Sequence, residues 1–409
     1  MSTRRSDMVA EVLHRDYPYL NNVHLDPRLT GFQAGLIPFL AHMSSPRVDM
    51  YASHLNQKMV LKYSQFPMIF AGPEQNLGEY EFSKSRRDQD ITVVASIPKY
   101  PVVVGPNRIG KNPSLTVIYI GHTDNKVHYM DIVSYTKGSD GFGYENIWEN
   151  THLLEPGFPI YKETRLVTSP NHKNGLYCQG LDLNVAYMTL ESTIEDAMLV
   201  SASAAESMTT CEMHEVKIIV RQDQYPLNTY GYEDETRFMP DIGEMVNDDG
   251  ILAAFRSLNT ETIVSDTTKE SLNDLQSMHD TIYYAPAGSV ILDITVQASH
   301  STKVPKSLYA QADKYIQARI RYWQEIVKVI SQSRTRHELA PECNTLLSTA
   351  IQNLTAAGVA VQLPGVTRKP KTKLVGKNKL PIEFMEITIV YSTQRKCSEG
   401  FKITGRDKH

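Results

Sequence analysis

Three small groups of residues in this chain have the types and spacing to do chemistry. The first is the closing run Gly400-Phe401-Lys402-Ile403-Thr404-Gly405-Arg406-Asp407-Lys408-His409, where two glycines bracket a lysine and further cations follow. Glycine lets a backbone approach a phosphodiester closely, and the cations supply charge. A basic tail with this composition is also what a solvated chain end looks like. The second is Ser45-Pro46-Arg47. Ser45 can cap a helix with Pro46 at its first position, which puts Arg47 in the first turn, where free N–H groups already favour an anion. Tyr51, His54 and Lys58 follow on roughly the same face. A triphosphate would suit this arginine, and an exposed surface arginine is the plainer alternative. The third is the acid pair Glu195-Asp196, set between two apolar runs. Adjacent carboxylates repel, so burying them calls for a cation: magnesium with its waters, or a lysine. Plain helix capping would also explain them.

The elements that must position these groups are mostly strands. Period-two or continuous apolar runs at Ile91–Ala95, Pro101–Gly105, Leu115–Ile120 and Val127–Val133, separated by turn residues, predict a first β block. A second surrounds Val185–Val200 and Val216–Val220, with Glu195 and Asp196 at a strand-to-helix bend. A third surrounds Ser289–Val296, and Glu386–Tyr391 forms the last strand. Leu308, Ala312, Ile316, Ile320, Trp323, Val327 and Ile330 recur at helical spacing, and Leu347, Ile351 and Leu354 continue on a second helix that Gly358 can terminate. Together they read as a helical hairpin whose apolar stripe is packing surface. Arg368 to Lys379 carries six cations without apolar period and reads as a loop, either solvated or tracking phosphates.

Composition bounds the reading. The 409 residues suffice for two or three domains, and 22% charged with 41% apolar residues is ordinary for a globular protein. A net charge of −4 argues against a generic nucleic-acid coat and leaves nucleic-acid contact to local basic clusters. No apolar run approaches the length of about 18 residues that a membrane span needs. The first residues, Met1-Ser2-Thr3-Arg4-Arg5, lack the apolar stretch of a signal peptide. Cys178, Cys211, Cys343 and Cys397 are scattered, which predicts reduced, buried thiols instead of a zinc knuckle.

In fixed order, the three groups resemble signatures of the β (second-largest) subunit of multisubunit DNA-directed RNA polymerases. Gly35–Leu61, with Ile37-Pro38-Phe39-Leu40, Ser45-Pro46-Arg47 and Gln57-Lys58, is similar to the fork region. Asn184–Val200 resembles "NVLVAYM…GYN-EDA-ILIS", with Glu195, Asp196 and Ala197 on the E-D-A. Phe401–Arg406 resembles "GDK-x-x-GR". Weaker echoes lie between them: Ser134-Tyr135-Thr136-Lys137 on "LTKY", Asp241 to Leu252 on "xVGxxVKxGDIL", and Tyr284–Val296 on "RVPPG-GTVIDV". The chain departs from the family where "GYN" is Ser192-Thr193-Ile194, where the acid of "GDK" is Phe401, and where the run after Arg406 stops at His409. The β N-terminal lobe and C-terminal clamp segment are missing, as in the split β subunits of giant-bacteriophage polymerases. Its end at His409 would then mark a split gene or intron boundary.

The resemblance implies a mixed, β-rich α+β fold: a double-psi β-barrel half with a flap-like insertion that contains the helical hairpin. It implies four segments: 1–65 like the fork region, 66–200 binding the RNA–DNA hybrid and carrying the E-D-A, 201–380 as the insertion, and 381–409 as the second barrel segment with the lysine loop. It implies a nucleotidyltransferase subunit, inactive alone, because the catalytic Mg2+ is held by an aspartate triplet of a β′-like partner. Lys402 would reach the RNA 3′ end or the reacting phosphate, Arg47 the incoming triphosphate and Gln57 the RNA backbone, with Arg406 either contacting phosphate or pairing with the acids. Glu195 and Asp196 would lie near the second Mg2+ through water. Partners would be other β-like fragments, β′-like subunits, a promoter-specificity factor, template DNA and nascent RNA, with no membrane. The setting would be the cytoplasm of an infected bacterium, or the virion. A catalytically inactive β-like scaffold is the alternative.

Overall fold

The computed structural model describes residues 34–56, 58–71, 74, 89–99, 114–137, 142–162, 164–191, 197–221, 223–231, 236–257, 275, 280–298, 309–363, 366–368 and 385–401. They form a sheet-rich α+β fold in which one sheet curls as half a barrel. Helix α1 spans Ser45–Asn56. A meander of β1 (Ile91–Pro98), β2 (Ser114–Gly121) and β3 (Lys126–Val133) follows, all antiparallel. Pro159–Ile160 extends the meander antiparallel beside β1, and Glu338–Leu339 extends it parallel beside β3, which makes a five-stranded sheet. The apolar run predicted at Leu115–Ile120 is continuous because both faces of this sheet are covered. Val117 packs with Ile91, Ile132, Leu154 and Leu166, whereas its neighbour Ile118 packs with the helical hairpin. The run predicted at Pro101–Gly105 lies outside the described residues.

A second five-stranded sheet draws on distant parts of the chain. Its strands are β4 (Tyr135–Lys137), β5 (Phe142–Glu145), β6 (Thr210–Val220), β10 (Val290–Ala298) and β11 (Met385–Arg395), in the order β10-β11-β6-β5-β4. Its spine is the antiparallel β6–β11 ladder, which runs from Thr210↔Arg395 to Val220↔Met385. Helix α2 is Ala202–Ser207. Strands β7 (Gln224–Pro226), β8 (Ile251–Ser257) and β9 (Asp280–Tyr284) make a separate three-stranded sheet beside it. Arg256 on β8 and Asp280 on β9 are ladder partners and form a two-pronged ion pair, Nε–Oδ1 2.7 Å and Nη2–Oδ2 2.9 Å.

The predicted hairpin is α3 (Ala310–Ser333) and α4 (Pro341–Ala356), with Pro341 in the first turn of α4 and Gly358 left-handed (φ 77°) beyond it. Helix α3 serves two cores. Ala312, Tyr315 and Ala318 pack with Ile218, Phe238, Ile294 and Ile389, and Tyr322, Ile326 and Ile330 pack with Ile97, Ile118, Val127 and α4. Its buried face is turned from the predicted stripe: Ile316, Ile320 and Trp323 are only partly buried, while Tyr315 and Tyr322 are fully so. Both rings can go inside because their hydroxyls find partners, Tyr315 on Asp241 (2.7 Å) and Tyr322 on Thr116 (2.8 Å).

Where α4 meets the β2–β3 turn, His128 lies between Glu342 (Nδ1–Oε1 2.5 Å) and Asp124 (Nε2–Oδ2 2.7 Å) and stacks on Tyr119 at 5.5 Å. Burial alone would lower its pKa, but the two carboxylates outweigh burial and raise it. Lys126 and Glu338 pair at 3.1 Å alongside.

Candidate functional site

The flanks of the three motif-bearing segments meet at one corner of the second sheet, around Thr210. Helix α2, capped by the Ser201 hydroxyl accepting from the Ala204 N–H (3.3 Å), delivers the chain to Thr209 and Thr210. There the segment after α1 pairs with it: Leu61 bridges Thr210, the Lys62 N–H donates to the Thr209 carbonyl (2.8 Å), and the Thr210 hydroxyl donates to the Val60 carbonyl (2.7 Å). On its other side Thr210 pairs with Arg395, the last residue of β11. The Arg395 guanidinium pairs with Glu212 and lies 4.6 Å from the centroid of the Phe401 ring. Lys396 pairs with Glu206 on α2 at 3.0 Å.

The same segment ties down the chain that leads to the acid pair. Lys58 donates to the Gln179 side-chain carbonyl, and its ammonium lies 4.7 Å from the centroid of the Tyr177 ring. Burial pushes its pKa down to about 8. The Gln65 N–H donates to the Gly180 carbonyl at 3.0 Å, and the Asp182 N–H to the Gln65 side chain at 3.3 Å. Beyond this anchorage the chain emerges. Residues 182–191 are exposed throughout, Tyr187 at 98%, with Val185, Met188 and Leu190 beside it.

This corrects the strand block predicted at Val185–Val200. Its described residues form no strand, and no ladder among the described residues pairs with their backbone. Two smaller corrections concern α1. The Val48 N–H donates to the Ser44 carbonyl (3.0 Å), so Ser44 rather than Ser45 stands at the cap. Lys58 lies past the end of the helix, so it shares no helical face with Arg47, Tyr51 and His54.

Of the predicted site residues, Arg47 is described: it sits in the first turn of α1, exposed, with Nη1 3.6 Å from the Met50 sulfur. No ion pair reaches it among the described residues. Gln57, Glu195, Asp196, Lys402 and Arg406 lie outside the described residues, and so does the cationic run beyond Arg368. Arg368 itself sits in a short strand, Val366–Arg368, paired with Val361–Leu363. Sequence reasoning missed Glu212 and Arg395. Their signal was available only as the cations Arg395-Lys396 at the end of a strand with acids opposite in the ladder.

Among the described residues no group of three or more His, Cys, Asp or Glu could hold a metal, and no helix is long and apolar enough to cross a membrane. Cys178 and Cys343 are buried free thiols, Cys211 and Cys397 half-buried ones. Burial pushes the Cys343 thiol up to about 12, which makes it a poor nucleophile. Compared with protein-family models and with curated proteins, the chain matches none.

Proposed function

We propose that this chain is part of the β-like subunit of a DNA-dependent RNA polymerase of the giant-bacteriophage type, and that it contributes nucleotide and RNA contacts to phosphodiester formation. The observation that carries the reading is the corner at Thr210. Three segments that resemble the family's signatures, far apart in sequence, have their flanks joined there by backbone pairing and ion pairs. A shared corner is what a joint site requires, and sequence order alone does not produce it. The curled sheet is read as half of a double-psi β-barrel, and the exposed apolar run around Tyr187 as surface covered by a β′-like partner.

In this reading Lys402 and Arg406 stabilise negative charge at the RNA 3′ end and the reacting phosphate, without acting as bases. Arg47, free of any carboxylate partner among the described residues, takes the triphosphate, and Gln57 orients the RNA backbone. Mg2+ supplies charge neutralisation when bound and is held mainly by the partner chain. Glu195 and Asp196 would lie near the second ion through water.

The test is single-nucleotide extension by the reconstituted complex. Lys402→Ala is expected to assemble normally and to slow addition by roughly 100-fold or more. Wild-type extension by that variant would sink the assignment. A complex that binds template without extending RNA would instead favour the inactive scaffold, as the loss of the "GDK" acid to Phe401 would suggest.

A further inference from the structure

Strand β11 does not fray where it leaves the sheet. Arg395 is still in the ladder opposite Thr210, and its guanidinium is paired with Glu212, two residues along β6. Glu212 is well placed to hold it: its side chain is only 17% exposed, against 49% for Arg395, and His214 Nε2 lies 3.5 Å from its other oxygen. The chain then turns back. Gly400 takes the left-handed conformation (φ 86°), and the Phe401 N–H donates to the Ser398 carbonyl at 3.2 Å. This turn brings the Phe401 ring to 4.6 Å from the Arg395 guanidinium. Phe401 joins none of the apolar cores formed among the described residues. A phenylalanine at a polar strand end, outside those cores, gains most from a cation over its face.

We propose that Arg395 is a positioning residue. Clamped by Glu212 and gripping Phe401, it fixes the point from which the next residue, Lys402, departs. The inference rests on the polymerase reading of Lys402. The second tie, Lys396 to Glu206, holds the same chain end to α2, so the turn is restrained from two directions.

The experiment is rapid-quench nucleotide addition by the reconstituted complex, with Lys402→Ala run in parallel. Arg395→Ala is expected to lower the addition rate constant by roughly 10- to 100-fold and to leave the nucleotide KM unchanged, the signature of lost positioning. Arg395→Lys, which keeps a cation for both partners, is expected to recover most of the rate. Phe401→Leu should reproduce the Arg395→Ala loss, and the double variant should lose no more than either alone, because both act through one contact. A role in stability alone would lower the melting temperature without this kcat-specific, non-additive pattern. If Lys402→Ala is slow but Arg395→Ala and Phe401→Leu extend at the wild-type rate, the anchor is refuted and the reading stands. Multiplicative losses in the double variant also refute the anchor. If Lys402→Ala extends normally, the reading fails and the anchor falls with it. Should Arg395→Ala fail to assemble, Phe401→Leu alone decides, since it leaves the Glu212 pair in place.

Discussion

The ion pair between Arg256 and Asp280 gives the sharpest test of the fold energetics. The Asp280 side chain has no exposed surface and that of Arg256 only 8%. Two N–H groups of the guanidinium, at 2.7 and 2.9 Å, face the two carboxylate oxygens. Arg256→Met keeps most of the stem volume and removes the charge, which leaves a buried carboxylate without its guanidinium. Breaking one side of a buried pair costs about 3–5 kcal/mol. Urea unfolding followed by circular dichroism should therefore show Arg256→Met losing about 3–5 kcal/mol near neutral pH. Arg256→Met with Asp280→Leu should return to within about 1 kcal/mol of the parent, since two apolar groups in that slot leave no buried charge. A loss below about 1 kcal/mol at neutral pH, or a double variant no more stable than Arg256→Met, would refute the reasoning.

Two further outcomes are expected. His128, whose pKa is raised in the folded state by Asp124 and Glu342, stabilises the docking of α4 on the β2–β3 turn when protonated. That contribution is fully present below the ordinary histidine value of about 6.5 and is lost as pH rises through the raised folded value. The stability gap between the parent and His128→Gln should accordingly be widest in mild acid and close towards alkaline pH; a gap that widens with pH would contradict the clamp. For the nucleotide site, Arg47→Ala should raise the nucleotide KM by roughly tenfold with DNA binding unchanged, as loss of a charge-assisted contact predicts. An unchanged KM in steady-state extension would remove Arg47 from the site.

Much of the fold was legible in the sequence because its signals are local. The runs at Leu115–Ile120 and Val127–Val133 and the Ile387/Ile389/Tyr391 alternation became strands β2, β3 and β11, and the three- and four-residue spacing from Ala312 to Ile330 became α3. What escaped depended on distant residues. Tyr315 and Tyr322 are core because Asp241 and Thr116 receive their hydroxyls, and neither partner is near them in sequence. The run from Val185 has the composition of a strand, but a strand is a property of two segments, and its described residues have no ladder. The candidate site was legible as three motifs in order. Its internal ties were not, because Arg395, Glu212 and Phe401 meet only through ladder register and a glycine turn.

Helix α3 has one end in each of two cores, and that makes it a strut. Its 24 residues give a length of about 36 Å at about 1.5 Å per residue. Near its start Gln311 and Tyr315 are bolted to Asp241, and seven residues on Tyr322 is bolted to Thr116 of the meander. With fixings in both bodies the sheets cannot slide past each other without tearing a buried hydrogen bond or bending the rod. Displacing the helical hairpin would therefore strain the buried hydrogen bonds at both fixings.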